Sequence, residues 1–315
     1  MKIFMFLRLI SVCHHRSRHG SRKHHQPCTP CHNAARHRVG DLMLDKDIFQ
    51  EFTNVDSAND PSRLFDSLER IESLPQMATF RDTTYQSILT ATPPGADIGC
   101  GQGCAVAELH ESGCHPTGID LSTSMVEAAQ QRFPQCVFRV GDALDLPIPD
   151  ASLGWYRAER LWIHLDDLTR ASQEAYRVLR PGGIIVVADP ILDSLVMTSS
   201  HQQVTRQIVA ASADSLTNPT AAAHTLAALK NTGFDSIHVG SSAILLRDFS
   251  AAKTILLDNA TQAATGSGVP EHTVRAWHED LEQYANRNEF LLSITMLITT
   301  ATKPDQSASS TATPP

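Results

Sequence analysis

The chain has 315 residues, enough for one large or two modest domains with a substantial core, and lacks any run of eighteen uncharged apolar residues that would cross a membrane. Its formal net charge of −8 is uneven: residues 1–40 carry Lys2, Lys23 and six arginines without an acid, leaving 18 basic against 34 acidic residues in the remainder. So acidic a body has little affinity for phosphate backbones, so nucleic acid is not the expected partner.

The first forty residues hold seven histidines and little periodicity. Their string Cys28–Thr–Pro–Cys–His32 matches the haem-attachment pattern, but no cytochrome-sized domain surrounds it and no second ligand pair completes a metal site. Residues 1–42 therefore read as a disordered or targeting extension: a signal-like start broken by Arg8, an acid-free transit segment, or a stretch preceding a true start at Met43. Seven irregularly spaced cysteines argue for a reducing compartment rather than a disulfide framework. The expected location is cytoplasmic, with organelle targeting by the basic extension as the other reading. Residues 305–315 are small, polar and proline-terminated, the composition of a disordered tail.

Between these ends, residues 43–304 form the working domain. Leu64, Phe65, Leu68 and Ile71 share one helical face behind Asp60 as N-cap, and the stretch 83–92 continues helical. Short β-like runs end at Asp120, Val140, Ala158 and Asp189, separated by helical stretches over 122–133 and 168–179. Such alternation predicts an α/β fold with a parallel sheet covered on both faces. Two further strand-like runs, 237–249 and 290–302, surround helical sequence.

The chemistry centres on "ADIGCGQG", residues 96–103. Gly99, Gly101 and Gly103 form a loop between strand and helix, where backbone amides face a ligand without Cβ obstruction. Asp120, 19 residues after Gly101, stands where a second strand delivers an acid to a ribose. The dinucleotide pattern G-x-G-x-x-G/A fails at Cys104. Asp97 at the strand end suits a ligand with an ammonium group and would repel a pyrophosphate.

In order and spacing these residues resemble class I S-adenosylmethionine-dependent methyltransferases of the small-molecule type, akin to the quinone-biosynthesis methyltransferases, over residues 47–304. The resemblance implies a Rossmann-like, doubly wound, seven-stranded and mostly parallel sheet with helices on both faces and an antiparallel last strand. It implies S-adenosyl-L-methionine as cofactor, held by Asp97, Gly99, Cys100, Gly101 and Gly103 of the loop. Asp120 and Leu121 would meet the ribose, Met125 the adenine ring, and Asp142 and Ala143 the adenine edge. Arg157 and Ala158 would offer backbone contacts, and Arg81 would meet the methionine carboxylate or lie solvated. The expected partner is a small-molecule acceptor, methylated at oxygen or carbon, with no metal.

The chain departs from the family before Asp97, where "TPPGAD" leaves only Ala96 between Gly95 and the acid. Since a Gly-Ala stub buries little, either the first strand is shortened and the sheet distorts, or the sequence carries a small deletion. A sulfonium methyl is already activated, so positioning supplies much of the acceleration and a base is needed only where the acceptor loses a proton. His164 is the candidate base, or else it packs its short helix. Glu159 and Arg160 either orient substrate or pair locally, and Asp189 at the next strand end faces the acceptor. Trp277 and Leu281 read as core, and residues 191–235 as a helical cover that sets specificity. An NAD-dependent oxidoreductase and a non-catalytic cofactor binder that kept the fold are the competing readings.

Overall fold

The computed structural model describes residues 51–58 and 60–305. The readings made for residues 1–42, and for the tail beyond Asp305, lie outside the described residues. The strands β1 (Gly95–Ile98), β2 (Thr117–Asp120), β3 (Val137–Val140), β4 (Leu153–Glu159), β5 (Leu179–Met197), β6 (Asp235–Leu246) and β7 (Leu292–Thr302) form one sheet in the order β3-β2-β1-β4-β5-β7-β6. The first five are mutually parallel, and β7 lies antiparallel between β5 and β6. This is the doubly wound architecture the motif order implied, with the last strand reversed. The strand order switches at β1 and β4, the point where open parallel sheets bind ligands at their carboxyl edge.

Helices α1 (Pro61–Glu72) and α2 (Pro75–Tyr85) precede the sheet. Asp60 caps α1 as predicted, its carboxylate accepting from the Ser62 amide at 3.1 Å. The helix expected over 83–92 instead begins at Pro75 and ends at Tyr85, because Pro75 fills the first helical position, where its missing N–H costs nothing. Helices α3 (Cys104–Glu111), α4 (Thr123–Arg132) and α5 (Leu168–Val178) are the crossovers between the parallel strands. Helices α6 (Gln202–Asp214) and α7 (Ala221–Thr232) follow β5. After β6 the chain runs through α8 (Phe249–Ala252), a π-helical stretch (Lys253–Leu257) and α9 (Asp258–Gly266) to α10 (Glu271–Asn286). Trp277 and Leu281 of α10 are fully buried in the core, and the Trp277 indole donates to Thr205 Oγ1 at 2.9 Å.

The abbreviated first strand holds its place at the sheet centre. All four residues of β1 are buried, and they pair in continuous register with β2 on one side and β4 on the other. The missing side-chain volume comes from across the ladder, where Trp155 stands opposite Gly95. A Cβ on Gly95 would lie 1.9 Å from the Trp155 indole, so the ring occupies the space that a normal strand residue would fill. The expected distortion falls one strand away. The register between β4 and β5 shifts between Leu153 and Trp155, at Gly154, whose N–H donates to the Pro94 carbonyl at 2.7 Å.

Asp189 lies 1% exposed at the end of the regular part of β5, and neither of its carboxyl oxygens has a hydrogen-bond partner. The amides of Trp162 and Ile163 face it without reaching bonding geometry, and burial pushes its pKa up to about 7.

Two predictions follow from this packing. Gly95→Val forces the strand against Trp155 and lowers stability by about 3 kcal/mol, whereas Gly95→Val combined with Trp155→Ala loses less than the two single changes together; chemical denaturation of all three variants measures the coupling. Asp189 has a folded-state pKa raised above its unfolded value, so its ionisation destabilises the fold as pH rises from about 4 to about 7. Asp189→Asn therefore stabilises the protein by up to about 4 kcal/mol above pH 7, an advantage that vanishes as pH falls to 4 in a thermal-unfolding series.

Candidate active site

The carboxyl ends of β1, β2, β4 and β5, together with α1, residues 52–56 and strands β6 and β7, enclose one cavity of about 330 Å³. Its two ends differ in chemistry.

The polar end is built on the glycine loop. Gly99, Gly101 and Gly103 take φ values of +71°, +50° and +84°, a left-handed path that β-branched or bulky residues resist. Gly99, Cys100 and Gly101 line the cavity. Gly103 does not; its role is packing, since a Cβ there would meet the Phe138 ring at 2.6 Å. Asp120 at the end of β2 also faces the cavity. Its carboxylate accepts from the Gly101 amide at 2.8 Å and the Ser122 amide at 3.0 Å, which fixes the side chain and leaves further acceptor capacity free. Burial pushes its pKa up against these two bonds. Leu121, Met125, Asp142 and Ala143 line the same end, with Asp142 accepting from the Leu144 amide at 2.8 Å to hold its turn.

The side chains of Asp97 and Arg81, expected at the cofactor, and of Arg157, expected to offer its backbone, are all turned to partners inside the protein. Asp97 and Arg157 are each 2% exposed and do not line the cavity. Arg157 Nη1 donates to Asp97 Oδ1 at 2.5 Å, its Nη2 donates to Glu159 Oε2, and its Nε donates to Thr84 Oγ1 at 2.9 Å. Burial pushes the Asp97 carboxyl up, and the guanidinium pulls the other way. Arg81 is likewise turned inward. It grips Glu108 of α3 with Nη2–Oε1 at 2.7 Å and Nε–Oε2 at 2.9 Å, and Tyr85 donates to the same carboxylate at 2.6 Å. Ala158 is fully buried inside β4, off the cavity.

The other end is aliphatic. Leu192, Leu216, Ile244, Leu246, Leu292 and Met296 wall it, with Leu256 from the π-helical stretch. From the segment 191–235 only Leu192 and Leu216 reach the cavity; much of the wall comes from β6 and β7. His164, in a 3₁₀ turn after β4 (Trp162–His164), sits where the two ends meet, with Nδ1 buried and lacking a hydrogen-bond partner. Burial, with Arg160 nearby, lowers its pKa to about 4, so the imidazole is neutral at neutral pH. Glu159 and Arg160 both line the cavity and also pair, Nε to Oε1 at 3.3 Å. Asp189 does not reach the cavity; its neighbour Pro190 does.

Sequence reasoning missed two acids. Asp56 lines the cavity and caps the N-terminus of α4, accepting from the Thr123 amide at 2.8 Å, the Ser124 amide at 3.1 Å and Ser122 Oγ at 2.7 Å. The Ser124 hydroxyl, which also donates to Oδ1, and these bonds hold its pKa down at about 2 and tie the segment before α1 to the N-terminus of α4. No local pattern marks this long-range cap. Glu72 also lines the cavity, and here a signal existed: it continues the apolar row Leu64, Leu68 at four-residue spacing, an acid on a face otherwise turned inward.

Comparisons with known proteins agree with this geometry. A family model described as a methyltransferase domain matches residues 96–187, from β1 into β5. A Streptomyces fradiae protein, described as an uncharacterized 37.1 kDa protein in transposon TN4556, is 30% identical over 258 residues, covering 76% of this chain and 73% of that protein. The O-methyltransferase rstn1 of Aspergillus nomiae is 34% identical over 161 residues, covering 47% of this chain and 67% of that enzyme. In fold, the chain is similar to the Haemonchus contortus phosphoethanolamine N-methyltransferase 2, with a TM-score of 0.51 and 19% identity over 82% of this chain and 61% of that one. With motif order, sheet topology and relatives in agreement, the chain belongs to the class I S-adenosylmethionine-dependent methyltransferases of the small-molecule type, and S-adenosyl-L-methionine is its cofactor.

Proposed function

We propose that this enzyme methylates a hydroxyl oxygen of a small, uncharged and largely apolar molecule, with His164 as the group that takes the hydroxyl proton. The single observation that carries this reading is a neutral imidazole with a free, buried nitrogen at the border of an aliphatic chamber. The similarity to O-methyltransferases supports oxygen as the accepting atom.

The cavity chemistry fits the cofactor at its adenosine end, where Asp120 has spare acceptor capacity for a ribose diol and Met125, Asp142 and Ala143 line the region beside it. When bound, S-adenosyl-L-methionine supplies a methyl group already activated on a positively charged sulfur. The chain's own residues then have three tasks. The aliphatic wall of Leu192, Leu216, Ile244 and Leu246 orients an apolar acceptor and keeps water from competing. His164 would take the proton that the acceptor's hydroxyl loses, and the positive charge of that proton would then rest on the imidazole. Glu159, paired with Arg157 and Arg160, holds the Arg160 side chain in place on the cavity wall.

Three measurements test the reading. His164→Ala lowers kcat about a hundredfold while the dissociation constant for S-adenosylmethionine stays within about twofold; an unchanged kcat removes the base role. The low pKa of His164 means that its neutral form persists well below pH 6.5, so the kcat profile of the wild type is flat from pH 6 to 8, without an inflection at the usual histidine value. Asp120→Asn weakens both S-adenosylmethionine and 5′-methylthioadenosine, which share the ribose, by about tenfold or more in calorimetry.

A further inference from the structure

We infer that Glu72, on the last turn of α1, takes the ammonium group of the cofactor's amino-acid end, the task that the motif would assign to Asp97. The inference rests on the cofactor and not on the acceptor or on His164.

Three acids crowd the end of the cavity next to the glycine loop: Asp97, Glu159 and Glu72. A cationic ligand needs one with unmet acceptor capacity. Asp97 is held by Arg157 and lies off the cavity wall. Glu159 is on the wall, but its two oxygens are taken by Arg157 and Arg160. Glu72 differs from both. It lines the cavity, its side chain is only 9% exposed, and its Oε2 is buried without a hydrogen-bond partner. The nearest cation, Arg132, stands 3.7 Å from that oxygen, beyond hydrogen-bond reach, and is shared with Glu69 at 3.7 Å.

Position agrees with this task. A Cβ on Gly101 would lie 3.6 Å from the Leu68 side chain, one turn before Glu72 on α1. The last turn of α1 is therefore next to the loop, and Asp120 at the end of β2 holds the same loop through the Gly101 amide. A ligand with its ribose on Asp120 and its middle along Gly99–Gly101 directs its far end toward Glu72. Burial raises the Glu72 pKa, with Arg160, Arg132 and Arg81 pulling it down and Glu159 adding to the rise. A buried acid left unpaired is unfavourable, and pairing it with an ammonium group recovers that energy on binding.

Calorimetry with three ligands tests the assignment without any acceptor present. Glu72→Gln weakens S-adenosylmethionine and decarboxylated S-adenosylmethionine, which both carry the ammonium, by about tenfold or more, and leaves 5′-methylthioadenosine, which has no amino-acid end, unchanged. Equal affinity of wild type and variant for all three ligands overturns the proposal, as does an equal loss for all three, which marks a structural role. A loss for S-adenosylmethionine alone, with the decarboxylated compound unaffected, also overturns it, since the carboxylate would then be what Glu72 senses. If the amide variant does not fold, Glu72→Ala, which removes the buried acid altogether, is read by the same criteria.

Discussion

One guanidinium organises the floor of this site. Arg157 on β4 neutralises Asp97 on β1 and Glu159 on its own strand, bonds Thr84 of α2, and lies over the Tyr85 ring at 5.1 Å. It thereby ties the two central strands to the helix that precedes them. A buried charge cluster of this kind adds little net stability, but losing one member leaves an uncompensated charge in a dry core, so the members are strongly coupled. The guanidinium engages Asp97 and Glu159, whereas Asp120 and Glu72 face the cavity without an arginine within hydrogen-bond distance.

The cavity above that floor is divided by polarity. Backbone amides, Asp120 and Glu72 make one end suited to a sugar and a cationic head, while the side chains of β5, β6 and β7 make the other end a hydrocarbon wall. His164 stands between them, and the low polarity around it keeps it neutral. The Asp56 cap on α4 adds a wall that belongs to neither half, since it draws residues 52–56 across the polar end.

The short first strand shows how a local deficit is met at long range. Gly95 and Ala96 contribute almost no side-chain volume to the middle of the sheet, and Trp155, sixty residues later in the chain, supplies it. The irregularity that a stub strand would impose is displaced to Gly154 and the β4–β5 register. The glycine loop is left in a continuous ladder.

Strand and helix order, the glycine loop and Asp120 were legible in the sequence because each depends on neighbours close along the chain: turn residues, apolar periodicity, an acid at a fixed distance from a glycine; the cofactor followed from the family that these motifs, in order, resemble. The same local logic placed His164 just past β4, on the cavity. What the tertiary structure alone decided is which charges are free. Asp97 and Arg81 carry the right chemistry for ligand contacts, yet their side chains are engaged by partners sixty and about thirty residues away in sequence. Asp56 and Glu72, inconspicuous in the sequence, face the cavity instead. Electrostatic pairing depends on distance in space and on burial, so a residue's charge is set by the sequence, but its availability is set only when the chain has folded.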